Sequence, residues 1–351
     1  MPKLTRRQAI ILQFIRQNPN TQNRDILAYL EKELGEDFGR VTIVRDISVL
    51  LERKLIKRQG AGRNIGYHEI LTNQLLKYID VDDYFSKDLD KRPVLYQKFN
   101  FEIFEQLKNL FSKEELANLN EINNNYRKRV KKLSPTIIKK EIERLTIDLS
   151  WKSSQIEGNT YSLLDTEILI KENKEAAGHK KEEAIMILNH KEALDFIFSK
   201  KNNFAKISIK DLENIHALLT KGLGVGKGLR QSLVGITGTN YRPLDNRHQI
   251  KEATEKTLRI INASKNSLEK ALLAALIIPY IQPFEDGNKR SSRLLANALL
   301  LANDYCPLSF RSISEKDYKK AIIIFYEQNS FLYFKELFIE QFKFAVENYF
   351  L

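Results

Sequence analysis

The sequence predicts a mainly α protein: a helical bundle carrying one short β-hairpin flap and preceded by a small α/β module. Three observations carry this. The chain of 351 residues holds only 14 Gly and 8 Pro, and its many Leu, Ile, Lys and Glu favour helix. Apolar residues recur at helical spacing along most of its length. The exceptions fall in two glycine-bearing stretches, Gly60–Gly66 and Gly222–Pro243, which read as loops and hairpins. The length suits two or three domains.

The first segment runs to Leu71. Thr5 caps a helix with Ile10, Ile11, Phe14 and Ile15 on one face, and Asn18-Pro19-Asn20 ends it. Asn23 opens a second helix through Ile26, Leu27 and Leu30. Gly39 precedes a third, with Val41, Val44, Ile47, Leu50 and Leu51 expected to turn inward. Leu55–Arg58 and Gly66–Ile70 read as two strands joined across Gly60-Ala61-Gly62. This succession resembles the winged-helix domains of bacterial repressors. That resemblance implies a third helix in the DNA major groove, with Arg40, Thr42 and Arg45 facing the bases. Lys57, Arg58 and Arg63 would then sit on the wing. Up to Ile70 there are thirteen Lys and Arg against eight Asp and Glu, about +5. A winged helix used only for protein contacts is the alternative.

Residues 72–135 form a connecting segment. Asp80–Asp83 and Asp88–Pro93 read as a loop around a short turn, and Phe99–Phe111 and Glu114–Lys132 as helices; the basic run Arg127–Lys132 suits a solvated helix face. A third segment, 136–351, is helical apart from Gly222–Gly228 and a hairpin, Leu233–Pro243.

Composition excludes several classes. Ala271–Ile281, the longest apolar stretch, is too short to span a bilayer, and the first residues lack the apolar segment of a signal peptide. A lone Cys306 leaves no internal disulfide and fits a reducing, cytoplasmic setting. A net charge of +12 suits an anionic partner, though a solvated basic surface gives the same number.

The residues with chemistry lie between two apolar helices, in Gln282-Pro-Phe-Glu-Asp-Gly-Asn-Lys-Arg-Ser-Ser-Arg293. Gly287 and Asn288 allow a tight turn whose N–H groups converge on one anion. The following helix adds its positive end. Arg290 and Arg293, three apart, rise from one face of its first turn. Asp286 is a hard oxygen ligand, suited to a magnesium ion that bridges phosphates. Phe284, apolar in a polar loop, pins it to the core. The plainer reading is an Asp-Gly-Asn turn capping a helix with two surface arginines.

This string resembles the signature of the Fic (Fic/Doc) family, His-x-Phe-x-Asp/Glu-Gly-Asn-Gly-Arg-x-x-Arg. Six of its eight fixed positions match: Phe284, Asp286, Gly287, Asn288, Arg290 and Arg293. Upstream, Ser153-Ser-Gln-Ile-Glu157-Gly158 matches the family's inhibitory motif, and Gly235–Pro243 its target-docking flap. Fic proteins mostly transfer AMP from ATP to a hydroxyl side chain of a target protein. The resemblance implies that Asp286 holds Mg2+, while Phe284, Gly287, Asn288, Lys289 and Arg290 line the ATP site and Arg293 meets the terminal phosphate. Gly235, Ile236, Thr237, Gly238 and Thr239 would take the target's backbone by strand addition. Glu157 would pair with Arg293 and compete with the terminal phosphate, although alone it reads as a helix C-terminal residue before Gly158.

Two positions depart from the signature. Gln282 stands where the family has its general-base histidine, and an amide can orient a hydroxyl but not take its proton. Lys289 stands where most members have glycine; the Doc branch has lysine and transfers the terminal phosphate instead. No other histidine is an obvious base. His216 and His190 read as helix packing, His68 and His179 as surface residues, and His248 lies near a helix start after the flap. The sequence thus admits an autoinhibited adenylyltransferase weakened at Gln282, an inactive ATP-sensing DNA-binding regulator, and phosphoryl transfer. It leaves a homodimer open.

Overall fold

A computed structural model describes residues 4–70 and 73–351, apart from the Arg63 side chain. The expected boundary at residues 71 and 72 lies outside the described residues. Two compact units divide the chain, up to Asp80 and from Val81.

In the first unit, α1 (Arg6–Gln17), α2 (Asn23–Leu34) and α3 (Arg40–Glu52) precede β1 (Ile56–Gln59) and β2 (Gly66–Glu69). Thr5 caps α1 through a box in which its hydroxyl accepts from Gln8 N and Gln8 returns the bond. β1 and β2 are antiparallel, pairing Ile56 with Glu69 and Gln59 with Gly66. Thr21 adds an isolated bridge to Tyr67. The core unites Ile11, Leu12, Ile15, Ile26, Leu30, Ile43, Ile47, Leu50 and Tyr67. One expectation fails here. Val41 and Val44 do not turn inward but are 64% and 46% exposed. The buried face of α3 is Ile43, Asp46, Ile47 and Leu50. Its phase is set by Asp46, which accepts from Gln8 Nε2 at 3.0 Å and from Arg7 Nε.

The second unit contains α4 (Val81–Ser86), α5 (Ile103–Gln106), α6 (Lys113–Val130), α7 (Pro135–Ile156), α8 (Leu163–Glu172) and α9 (Lys181–Ser199). There follow α10 (Ile209–Leu219), α11 (Arg247–Ala263), α12 (Ser267–Ile281), α13 (Asn288–Ala302), α14 (Glu315–Gln328) and α15 (Leu332–Asn348). Residues 81–135 belong to this unit: Glu115 pairs with Lys335 of α15 at 3.0 Å, and Tyr126 packs edge-on against Phe350. Phe99–Phe111 is not the helix expected. Only Ile103–Gln106 is helical, because Phe99 packs on Tyr280 and Phe101 and Asn109 turns left-handed. Tertiary packing of the aromatic rings outweighs their local spacing.

The centre is α12, buried along nearly its whole length, packed against α11, α13 and α14. Pro279 lies inside it and cannot donate to the Ala275 carbonyl. The Ser292 hydroxyl of α13 lies 3.3 Å from that oxygen instead. The Pro279 carbonyl accepts from Tyr326 OH and Gln282 Nε2. The seam between α12 and α13 is therefore tied at the loop that joins them. No helix among the described residues is long and apolar enough to cross a membrane.

A candidate nucleotide site at the start of helix α13

The loop from Gln282 to Gly287 turns back sharply between two buried helices, and its side chains explain how. Gln282 is left-handed at φ 52°, and its Nε2 donates to Pro279 O at 2.7 Å. Asn288 Nδ2 donates to Gln282 Oε1 and to Phe284 O, while its Oδ1 accepts from Phe284 N. The Asn288 side chain, expected to line the phosphate site, is buried and spent on shaping the loop. Phe284 is fully buried and stacks on His216 with ring centroids 3.7 Å apart. His216 Nε2 bonds the Asp286 carbonyl at 3.0 Å. Burial holds His216 below the usual imidazole range, so near neutral pH it is a neutral strut.

Gly287 begins α13 at φ 78°, and a Cβ there would come within 3.2 Å of Thr220 and 3.5 Å of His216. The left-handed φ favours glycine there, and the Thr220 contact would be tight for an added Cβ. No side chain caps the first turn of α13, and the positive dipole end of such a helix start suits an anion. Arg290, also buried, donates from Nη2 to Asp286 Oδ2 at 2.9 Å, and its Nη1 is buried without a partner. Asp286 itself is 70% exposed in its side chain.

Arg293 is fully buried. Its Nε donates to Ser153 Oγ, and its Nη2 donates to Ser153 O and to Glu157 Oε1 at 2.8 Å. Lys289 Nζ reaches the other oxygen of Glu157 at 2.7 Å. Burial alone would raise the Glu157 carboxyl; the adjoining charges of Arg293 and Lys289 and their hydrogen bonds overrule it and hold it at about 2. Glu157 closes α7 as its C-cap, and Gly158 follows at φ 97°. The helix-end reading and the pairing with Arg293 are both realised in one residue.

The flap is an extended segment with a turn at Thr237–Gly238. Gly235, Ile236, Thr237 and Gly238 are exposed or half-buried, whereas Thr239 is buried and donates to Glu327 Oε1 at 2.6 Å. Thr239 is thus turned from any partner on the flap. Arg230 was not foreseen. It is buried, its Nε donates to Gln282 O at 2.6 Å, and further bonds reach Ser232 O and Leu244 O. It sews the root of the flap to the loop, and nothing in the sequence separates it from other arginines. His190 is buried with neither ring nitrogen partnered, and burial beside Arg293 and Arg290 keeps it well below the usual range. His68 and His179 are half-buried rather than on the surface.

Residues 206–300, from the approach to α10 through most of α13, match the model of the Fic/DOC family. Over these residues the chain is similar to a Fic domain. Protein adenylyltransferase Fic from Nematostella vectensis is 28% identical over 191 residues, 52% of this chain and 43% of that protein. The Drosophila melanogaster protein of the same name is 28% identical over 161 residues, 45% of this chain and 33% of its own length. The matched part thus spans less than half of these curated relatives. Among solved structures, Fic-1 (residues 134–508) from C. elegans superposes with a TM-score of 0.59 at 17% identity. It covers 68% of this chain and 71% of that one. A Fic family protein from Desulfovibrio desulfuricans superposes at 0.55 with 21% identity, covering 68% and 74%. The fold is that of the Fic bundle.

Proposed function

We propose that this protein is a Fic-type protein adenylyltransferase, moving AMP from ATP to a hydroxyl of a target protein, and that Glu157 holds it inactive. The observation that carries this is the placement of Glu157 on Arg293 at the mouth of the α13 anion site. A carboxylate seated on an arginine competes with a phosphate for the same donors. Gly287 and the first turn of α13 would cradle the phosphates, with Arg290 Nη1 as a further donor and Arg293 as terminal-phosphate ligand once Glu157 leaves. Mg2+ suits Asp286: one exposed carboxylate with a free oxygen fits an ion whose remaining ligands are phosphates and water. The ion would neutralise phosphate charge there. The residues around it orient the phosphate chain and present the target hydroxyl along the flap.

Gln282 is the weak point of such a catalyst. Its amide lies between the Pro279 carbonyl and Asn288, and an amide takes no proton. Loss of a general base costs a factor of about 10²–10⁴. The test uses Glu157→Gly with Mg2+ and ATP labelled on the α- or γ-phosphate, with Arg293→Ala as control. Transfer of α-label, rising by that factor in Gln282→His, supports the proposal. Transfer of γ-label alone would mean that Lys289 has redirected the chemistry to phosphate transfer. No transfer with ATP still bound sinks the enzyme reading.

The spent amide of Gln282 favours a second reading, an ATP-sensing DNA-binding regulator. In it the first unit is a winged helix. Arg40, Val41, Val44 and Arg45 on the outward face of α3, with Thr42 half-buried beside them, would enter the groove. Lys57 and Arg58, exposed on β1, would meet phosphates; the Arg63 side chain lies outside the described residues. Both readings share ATP as ligand.

A further inference from the structure

The two arms of the flap are held differently. Along the first arm, Leu233–Thr237, no backbone group takes a hydrogen bond among the described residues, and Leu233 is 78% exposed. The second arm is tied at every step. Arg92 Nη1 donates to Gly238 O at 3.0 Å, Thr239 Oγ1 donates to Glu327 Oε1, and Asn240 Nδ2 reaches Leu89 O and Asp90 Oδ1. Arg242 N donates to Gln97 O at 2.8 Å, and Lys98 and Arg242 form a parallel bridge. The strap from Asp88 to Lys98 thus occupies the edge of the second arm.

Glu327 joins these parts. It is fully buried at the end of α14. Its carboxylate accepts from Thr239 of the flap and, on the other oxygen, from Tyr84 of α4 at 2.6 Å, with Arg92 at 3.8 Å. Its backbone oxygen accepts from Leu95 N and Tyr96 N of the strap. A buried carboxylate with two short hydroxyl bonds is costly to disturb, because removing one partner strands the other. A strand with both edges occupied cannot take another strand, whereas one with a free edge can.

We propose that Glu327 is a positioning residue for the target: with the strap it closes the second arm of the flap and leaves Leu233–Thr237 as the edge where an extended target segment adds. This rests on the transferase reading. Amide exchange by mass spectrometry and peptide modification test it together in the Glu157→Gly protein, with Thr239→Val, Thr239→Ser and Glu327→Gln added singly. Exchange at Tyr241 and Arg242 should be at least about tenfold slower than along Leu233–Thr237. Thr239→Val and Glu327→Gln should erase that difference, and Thr239→Ser should keep it. With degenerate peptides carrying one Ser, Thr or Tyr as acceptors, KM should rise about tenfold in the first two variants, the loss expected for a hydrogen bond to a charged group. ATP affinity should stay within about twofold, since the phosphate loop is untouched. Leu233→Asp should raise KM without changing exchange at Tyr241. Equal exchange on both arms of the parent, or protection that survives Thr239→Val, overturns the proposal. A fall in kcat at unchanged KM would overturn it too. If the parent modifies no peptide but the exchange pattern holds, the transferase reading fails while the hold of Glu327 on the flap stands.

Discussion

At the scale of single residues the decisive group is Glu157, shared between two cations. Lys289 takes one oxygen and Arg293 the other, so on the proposed reading the residue that departs from the family signature would reinforce the lock. A partly exposed ion pair is worth about 1 kcal/mol. Lys289→Gly, with Glu157 intact, should therefore raise α-label transfer roughly fivefold, less than Glu157→Gly does. Unchanged transfer would show that Lys289 plays no part in the lock. The lock should also ignore physiological pH. Its carboxyl is held at about 2, below the roughly 4.3 of an unfolded glutamate. Its stabilising contribution is complete above the unfolded value and is lost only as the pH falls through about 2. ATP affinity of the native chain relative to Glu157→Gly should be flat from pH 5 to 8; a titration in that range would place the control in another group. Of these contacts the pairing of Glu157 with Arg293 was expected from the two motifs, whereas the grip of Lys289 on the other oxygen of Glu157 was not.

At the scale of elements, the loop between α12 and α13 shows why a short polar string can be read from sequence. Each residue has one local duty. Gly287 supplies the left-handed turn, Asn288 closes the loop on itself, and Phe284 anchors it on His216. Gly287→Ala should cost about 1–3 kcal/mol, the strain of a left-handed non-glycine residue. Thermal unfolding should shift down by several degrees, and ATP binding should weaken with it. A variant as stable as the parent would mean that the loop can rearrange. The flap is less legible. Its glycines announce a turn, but the second arm is organised by Glu327, Arg92 and the strap, all remote in sequence. The same limit explains α3. Helical spacing was clear, but which face of α3 is buried was decided by Ile43, Ile47 and the Asp46 bonds, leaving Val41 and Val44 outside.

At the scale of the molecule, two compact units share the chain, and the basic excess of the first bears on what it meets. If that unit binds duplex DNA, Arg40, Arg45, Lys57 and Arg58 should each contribute to counterion release. Replacing all four by alanine should then lower the slope of log affinity against log salt by roughly 3–4, about 0.9 per contact. Fluorescence anisotropy of the full chain on a random duplex between 50 and 200 mM salt, a range suited to such slopes, measures this. An unchanged slope would remove these residues from any DNA interface. The reading of the loop between α12 and α13 does not depend on that outcome.

Local chemistry written in the sequence was enough to identify the helical class, the caps, the hairpin of the first unit and the tight turn between α12 and α13. These depend on interactions within a few residues of one another, which periodicity, glycine and capping side chains report directly. The tertiary structure alone decided which face of α3 is buried and that the aromatic stretch 99–111 yields only one helical turn. It also decided that Lys289 grips Glu157, and that Glu327 and Arg230 hold the two ends of the flap. Each of these depends on burial and charge brought together from distant segments, where the energy of a side chain is set by neighbours that its own sequence does not name.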